Sequence, residues 1–210
     1  MIKFKSIIFD LDGVICTTDK YHYWAWKKAV ASLGVEFNEE INNRLRGVSR
    51  MASLNIILEK YNGQLTEAEK EKICEYKNNL YREMLENMSM KDLSKDVLDT
   101  LVQLKGYGVK IAIGSSSKNT KLILSKLGII ELFDAIADGN DIVKSKPDPE
   151  VFLKAAEKLG EKPCDCAVVE DAISGIEAAK AGGFYAIAIS DATKSPIADR
   201  AIKKLSDILN

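Results

Sequence analysis

The chain has 210 residues, 46% of them apolar and 29% charged, with a formal net charge of −1 and a pI near 6.0. This is long enough for one sizeable α/β domain with a smaller insertion. The near-neutral charge offers no basic field to nucleic acid, and no apolar run approaches transmembrane length, so neither a nucleic-acid nor a membrane partner is expected. Met1-Ile2-Lys3 leads straight into a first strand with no room for a cleavable leader, and a cytoplasmic address is the expectation that follows. Cysteines 16, 74, 164 and 166 lack framework spacing, and the single His22 is remote from the Cys164-Asp165-Cys166 pair. Reduced structural thiols are therefore expected, rather than disulfides or a zinc site.

The first element is Ile7-Ile8-Phe9-Asp10-Leu11-Asp12-Gly13-Val14-Ile15, an apolar strand-forming run into which two carboxylates have been placed. Strand alternation sends Asp10 and Asp12 to one face, and Gly13 permits a sharp turn. Two such charges about 4 Å apart repel by roughly 4 kcal/mol at an effective dielectric of about 20. A hard divalent cation, a shared proton or a nearby lysine could offset that. An EF-hand loop is excluded, because position 14 is valine and no helix precedes the acids.

Some seventy residues of helical pattern follow, far more than an ordinary strand-to-helix connection, and they predict an inserted helical bundle over residues 17–90. Tyr21 to Leu33 reads as one helix ended by Gly34; Asn38 to Leu45 and Arg50 to Tyr61 read as two more. Thr66, with Glu69 three residues on, is a capping box opening a long charged helix to about Asn87. Strand-helix alternation then resumes. Helices are predicted at 94–105, Lys118 to Leu127, from Pro149 to Leu159 and Ser174 to Ala181, with strands at Val109 to Gly114, Phe133 to Ala137, Ala167 to Glu170 and Phe184 to Ile189. Residues 1–16 and 91–210 thus form a five-stranded, doubly wound parallel α/β core, whose ligands lie beyond the carboxyl ends of the strands. There are no repeats or low-complexity segments.

That rule gathers Asp10, Asp12, Ser115-Ser116-Ser117, Lys144 to Lys146 and Glu170-Asp171 at one sheet edge. Each has a modest local reading: the serines open a helix, Lys146 is made extended by Pro147, and the acids after Ala167-Val168-Val169 stand at a helix start. Together they describe a magnesium site for a phosphorylated ligand. There the cation and Lys146 screen the phosphate, so that one carboxylate can attack phosphorus while a second protonates the leaving oxygen.

D-L-D-G-V at 10–14, Ser115, Lys146 before proline and Glu170-Asp171 together resemble the haloacid dehalogenase superfamily, with a helical cap after the first motif. The resemblance spans almost the whole chain. Within that superfamily it is similar to the hexose-phosphate mutases, on Tyr21-His22 with Trp26, Gly47-Val48-Ser49-Arg50 with Ser53, Ser115 to Asn119 and Ser145-Lys146-Pro147. It implies that Asp10 is the nucleophile and Asp12 the general acid and base. Asp10, Asp12 (through its carbonyl), Glu170 and Asp171 would bind magnesium. Ser115 and Lys146 would hold the transferring phosphate, and His22 would help place Asp12 and the sugar. Thr18 would be the hinge, Gly47 and Val48 would meet the sugar, and Arg50, Ser117, Lys118 and Asn119 would hold the non-reacting phosphate. Trp26, Arg46, Ser49, Ser53 and Ser116 complete the expected substrate-binding set.

Three positions depart from the pattern. Thr17 stands where many relatives have aspartate, Arg46 where the mutases carry lysine, and Ser116 where alanine is common; a guanidinium fork is not interchangeable with a point charge. The implied reaction is the interconversion of beta-glucose 1-phosphate and glucose 6-phosphate through beta-glucose 1,6-bisphosphate and phosphorylated Asp10, catalysed by a monomer. The rival is a magnesium-dependent sugar-phosphate phosphatase with a leakier cap. A receiver-like signalling domain shares the acidic pocket, but its phosphorylated Asp ends a middle strand and no long helical insertion follows the first.

Overall fold

A computed structural model describes residues 4–210, so the expectation attached to Met1-Ile2-Lys3 lies outside the described residues. The chain divides into two compact units, one formed by the residues up to Thr17 with Met88–Asn210, the other by Thr18–Asn87. In the first, six strands make one sheet: β1 (Ser6–Phe9), β2 (Lys110–Gly114), β3 (Ala135–Ala137), β4 (Cys166–Glu170), β5 (Tyr185–Ala188) and β6 (Arg200–Ala201). All are parallel, in the order β3-β2-β1-β4-β5-β6. The strand order therefore reverses beside β1, where a doubly wound sheet opens its crevice. Phe9 pairs with both Ile113 and Val169, which sets Asp10 level with Gly114 and Glu170.

The core strands are short apolar runs buried on both faces, as parallel sheets require. Their helices are α5 (Lys95–Gly106), α6 (Thr120–Lys126), α7 (Glu150–Leu159) and α8 (Ile173–Ala181), numbered after four in the other unit. Phe152 and Phe184 pack with Ile8, Val168 and Ile176 in one fully buried cluster, each large side chain contributing about 1.5–3 kcal/mol.

The helical unit holds α1 (Asp19–Ala29), α2 (Glu39–Asn43), α3 (Arg50–Ile57) and α4 (Glu67–Leu85). Its own core is Trp26, Ala29, Val30, Phe37, Leu45, Leu54, Ile57 and Cys74. The capping box at α4 is formed: Glu69 N–H donates to Thr66 Oγ1 (3.3 Å) and Thr66 N–H to Glu69 Oε2 (2.8 Å). The helix expected over Tyr21 to Leu33 breaks at Val30 into a 3-10 turn before left-handed Gly34, and the one expected over Arg50 to Tyr61 narrows to a 3-10 turn after Ile57.

Two further readings change. β6, a two-residue strand hydrogen-bonded to β5, makes the sheet six-stranded instead of five; Arg200-Ala201 carries no apolar or alternating signal of its own. β1 ends at Phe9, but Asp10 is still tied to β4 through its N–H, while Asp12 lies in the turn that follows, bridged to Cys16. Gly13, at φ +85°, donates its N–H to the Cys16 carbonyl (2.7 Å) and closes that turn. All four cysteines carry free thiols. Among the described residues, no helix is long and apolar enough to cross a membrane.

Candidate active site

At the edge of the sheet, the Lys146 ammonium, 2% exposed, bridges two carboxylates. It donates to Asp10 Oδ1 at 2.5 Å and to Glu170 Oε1, and it stands 4.6 Å from the Phe152 ring centroid. The peptide bond between Lys146 and Pro147 is cis. Asp10 N–H donates to the Val169 carbonyl (3.0 Å), while Glu170 Oε2 accepts from Ala172 N–H (2.9 Å). The lysine is thus held by acids from two neighbouring strand ends.

Two glycines make room for the acids. A Cβ on Gly13 would fall 2.1 Å from Asp171 Oδ2, and one on Gly175 would fall 1.9 Å from the Glu170 carboxyl carbon. Sequence reasoning had a use for Gly13 but missed Gly175. Its signal was a glycine inside a helix, which costs about 1 kcal/mol relative to alanine and so asks for a packing reason.

Burial raises the Asp10 carboxyl well above its ordinary value, with Lys146 pulling the other way and Glu170 adding repulsion. Burial, then Asp10 and Glu170, raise Asp171 as well. Burial also opposes the Lys146 charge, but Asp10 and Glu170 outweigh it and hold the lysine above its usual range. The carboxyl groups of Asp10, Glu170 and Asp171 thus crowd around a single buried ammonium, and a second cation would favour their ionised forms. A set of hard oxygen donors of this kind fits a hard divalent cation. As the side chains stand, no three such groups among the described residues converge on one point, since Lys146 lies between Asp10 and Glu170.

The helix expected from Lys118, opened by Ser115 to Ser117, starts two residues later, at Thr120. Instead Ser115 Oγ accepts from Ser117 N–H and Ser117 Oγ from Asn119 N–H, both at 3.2 Å, and Thr120 Oγ1 donates to the Ser117 carbonyl at 2.8 Å. Serine and threonine hydroxyls compete here with helical hydrogen bonding and win. Ser115 and Asn119 are buried and Lys118 is exposed; Ser116 Oγ is buried without a hydrogen-bond partner.

In the helical unit, Thr18 Oγ1 is 2.8 Å from the Tyr81 hydroxyl, and the His22 ring packs against Tyr81 at a 39° tilt, with centroids 4.2 Å apart. His22 Nδ1 lies 2.7 Å from the ammonium of Lys77, a residue 2% exposed whose charge faces the rings of Tyr81 (4.5 Å) and Trp26 (5.2 Å). An ammonium only donates, so Nδ1 is the bare nitrogen and Nε2 carries the proton. Arg46 donates to Asp19 (2.7 Å), and Arg50 to Asn78 Oδ1 (2.8 Å). Ser49 caps α3 by accepting from Ala52 N–H, Gly47 is left-handed at φ +77°, and Val48 packs against the unit's core. Trp26 and Ser53 are buried inside the unit, where Trp26 packs as core. Sequence reasoning missed Lys77, Asn78 and Tyr81. Nothing local on the long charged α4 singles them out, and only the fold brings Lys77 to His22.

The chain matches the haloacid dehalogenase-like hydrolase family over residues 4–183. It is 40% identical to a beta-phosphoglucomutase of Bacillus subtilis, covering 97% of this chain and 91% of that protein. It is 29% identical to a phosphorylated carbohydrates phosphatase of Thermotoga maritima, over 87% of this chain and 83% of that one. Its fold is similar to a crystal structure of a beta-phosphoglucomutase from Clostridium difficile, with a TM-score of 0.92 at 34% identity, covering 99% and 93% of the two chains.

Proposed function

The chain belongs to the haloacid dehalogenase-like hydrolase family and is an enzyme of it, and on that premise we propose that it is a hexose-phosphate mutase interconverting beta-glucose 1-phosphate and glucose 6-phosphate. The observation that carries this reading is the buried bridge from Asp10 through Lys146 to Glu170 at the point where the strand order reverses. The choice of a mutase is supported by the 40% identity to the Bacillus subtilis protein.

In this mechanism an Asp10 carboxylate oxygen attacks phosphorus, the bond from phosphorus to the sugar oxygen breaks, and Asp12 delivers a proton to that oxygen. The acyl phosphate on Asp10 is then attacked by the free 6-hydroxyl of a beta-glucose 1-phosphate, which gives its proton to Asp12. This regenerates Asp10 and forms beta-glucose 1,6-bisphosphate, whose 1-phosphate Asp10 attacks in turn to release glucose 6-phosphate. Lys146 and Ser115 hold the phosphoryl group in line. Magnesium, held by Asp10, the Asp12 carbonyl, Glu170 and Asp171, would neutralise charge on the phosphoryl oxygens when bound. We assign the non-reacting phosphate to Arg50, Ser117, Lys118 and Asn119, and recognition of the sugar to His22, Thr18, Gly47 and Val48, with Arg46, Ser49 and Ser116 beside them. Trp26 and Ser53 support that surface from within.

A phosphatase is the second reading, favoured by the likeness to the Thermotoga maritima enzyme. Phosphorus NMR with magnesium, beta-glucose 1-phosphate and a trace of beta-glucose 1,6-bisphosphate separates the two. Glucose 6-phosphate is the expected product, and its formation should vanish in Asp10→Asn. Inorganic phosphate would make the enzyme a phosphatase, and turnover surviving in Asp10→Asn would overturn the nucleophile.

A further inference from the structure

The turn Asp138-Gly139-Asn140-Asp141, just after β3, lies against the Ser115–Asn119 segment, and none of its residues enters the chemistry above. Gly139 N–H donates to the Ser117 carbonyl at 3.1 Å, and Asn140 Nδ2 donates to the Lys118 carbonyl at 3.2 Å. Gly139 is close enough that a Cβ there would stand 2.4 Å from the Ser116 carbonyl oxygen and 3.0 Å from Lys118 N. Two consecutive residues of the segment, Ser117 and Lys118, are thus held through their backbone carbonyls, with the Ser116 carbonyl close against Gly139.

The gripping turn is itself held firmly. Asp138, 2% exposed, accepts at Oδ1 from Asn140 N–H (2.8 Å) and from Asn140 Nδ2 (2.9 Å), and its own N–H donates to Asp141 Oδ2 (2.9 Å). Asp141 also pairs with Lys158 on α7 (2.8 Å), whose ammonium donates to the Ile136 carbonyl of β3 (2.8 Å). Rigid α7 and β3 therefore set the turn, and the turn sets the segment.

We propose that Gly139 and Asn140 are positioning residues for the non-reacting phosphate of the substrate. They fix the backbone from which Ser117, Lys118 and Asn119 reach that phosphate; this rests on the mutase reading of the segment. Fixing the backbone in advance spares the substrate the cost of ordering it on binding. Ser115, whose N–H is held separately by the Ala137 carbonyl (3.1 Å), keeps its place at the reacting end whether or not the turn is intact.

The test compares two phosphoryl donors. Acetyl phosphate engages only the reacting end, while beta-glucose 1-phosphate, with beta-glucose 1,6-bisphosphate present, needs both. Asn140→Ala, at an exposed position, should raise KM for the sugar phosphate roughly fivefold, the equivalent of one lost hydrogen bond. It should leave kcat and the rate of Asp10 phosphorylation by acetyl phosphate unchanged. Asn140→Ser, which retains a donor, should recover part of the KM, and Gly139→Ala should raise it further than Asn140→Ala. Equal losses with both donors, or an unchanged KM, would overturn the proposal. If the unaltered enzyme accepted acetyl phosphate but no sugar phosphate, the mutase reading would fail first and this one with it.

Discussion

His22 and Lys77 are 55 positions apart, yet they share one hydrogen bond in the helical unit. Burial, followed by the charges of Lys77 and Arg50, pushes the imidazole well below its usual 6.5. The folded protein therefore keeps His22 neutral at a pH where the unfolded chain has already taken up a proton. The unfolded state binds more protons in that window, so the contribution of His22 is fully present above about pH 6.5 and is lost as pH falls through the folded value, by up to about 1.4 kcal/mol per pH unit. Urea unfolding at pH 5 and pH 7.5 should show this extra acid sensitivity in the native sequence, and His22→Gln should lack it. An identical pH dependence in both proteins would contradict the buried neutral imidazole. Nitrogen NMR should find Nδ1 unprotonated, and Lys77→Met should shift the tautomer balance.

The turn after β1 shows how one glycine can serve an element and a site together. Gly13 takes a left-handed φ that costs an L-residue about 1–2 kcal/mol, and it makes room for the Asp171 carboxylate. Gly13→Ala should therefore lower the free energy of unfolding by more than that backbone cost alone and weaken magnesium binding measured by calorimetry. If the excess comes from the clash with Asp171, then Asp171→Ala should relieve part of it, and the double variant should be more stable than additivity predicts. Strict additivity would place the strain elsewhere. The Ser115–Asn119 segment makes a similar point, since its hydroxyls bond locally and delay the start of α6 to Thr120.

At the scale of the molecule, the two compact units have separate apolar cores. Both tryptophans, Trp24 and Trp26, belong to the helical unit, and only Trp26 is buried. Intrinsic fluorescence consequently reports that unit, while far-UV circular dichroism reports both. Leu54→Ala, in the core around Trp26, should cost about 2–5 kcal/mol in the fluorescence transition. Val168→Ala, in the sheet core, should move the dichroism midpoint more than the fluorescence midpoint. Coincident shifts from both substitutions would mean that the units unfold as one.

Local pattern alone determined a good deal. The apolar runs of β1, β2 and β4, the box at Thr66 and Glu69, and the helix-ending glycines are written in neighbouring residues, because periodicity and capping are short-range physics. The order of motifs was enough for the parallel α/β class and for placing Asp10, Lys146, Glu170 and Asp171 at one sheet edge. The tertiary structure alone decided that Lys146 bridges Asp10 and Glu170, that β6 joins the sheet, that Lys77 meets His22, and that Gly139 and Asn140 grip the serine segment. Each of these joins residues distant in sequence across different elements. A one-dimensional pattern tells which face of an element is buried, but only the packed fold tells which side chains and backbone groups meet there.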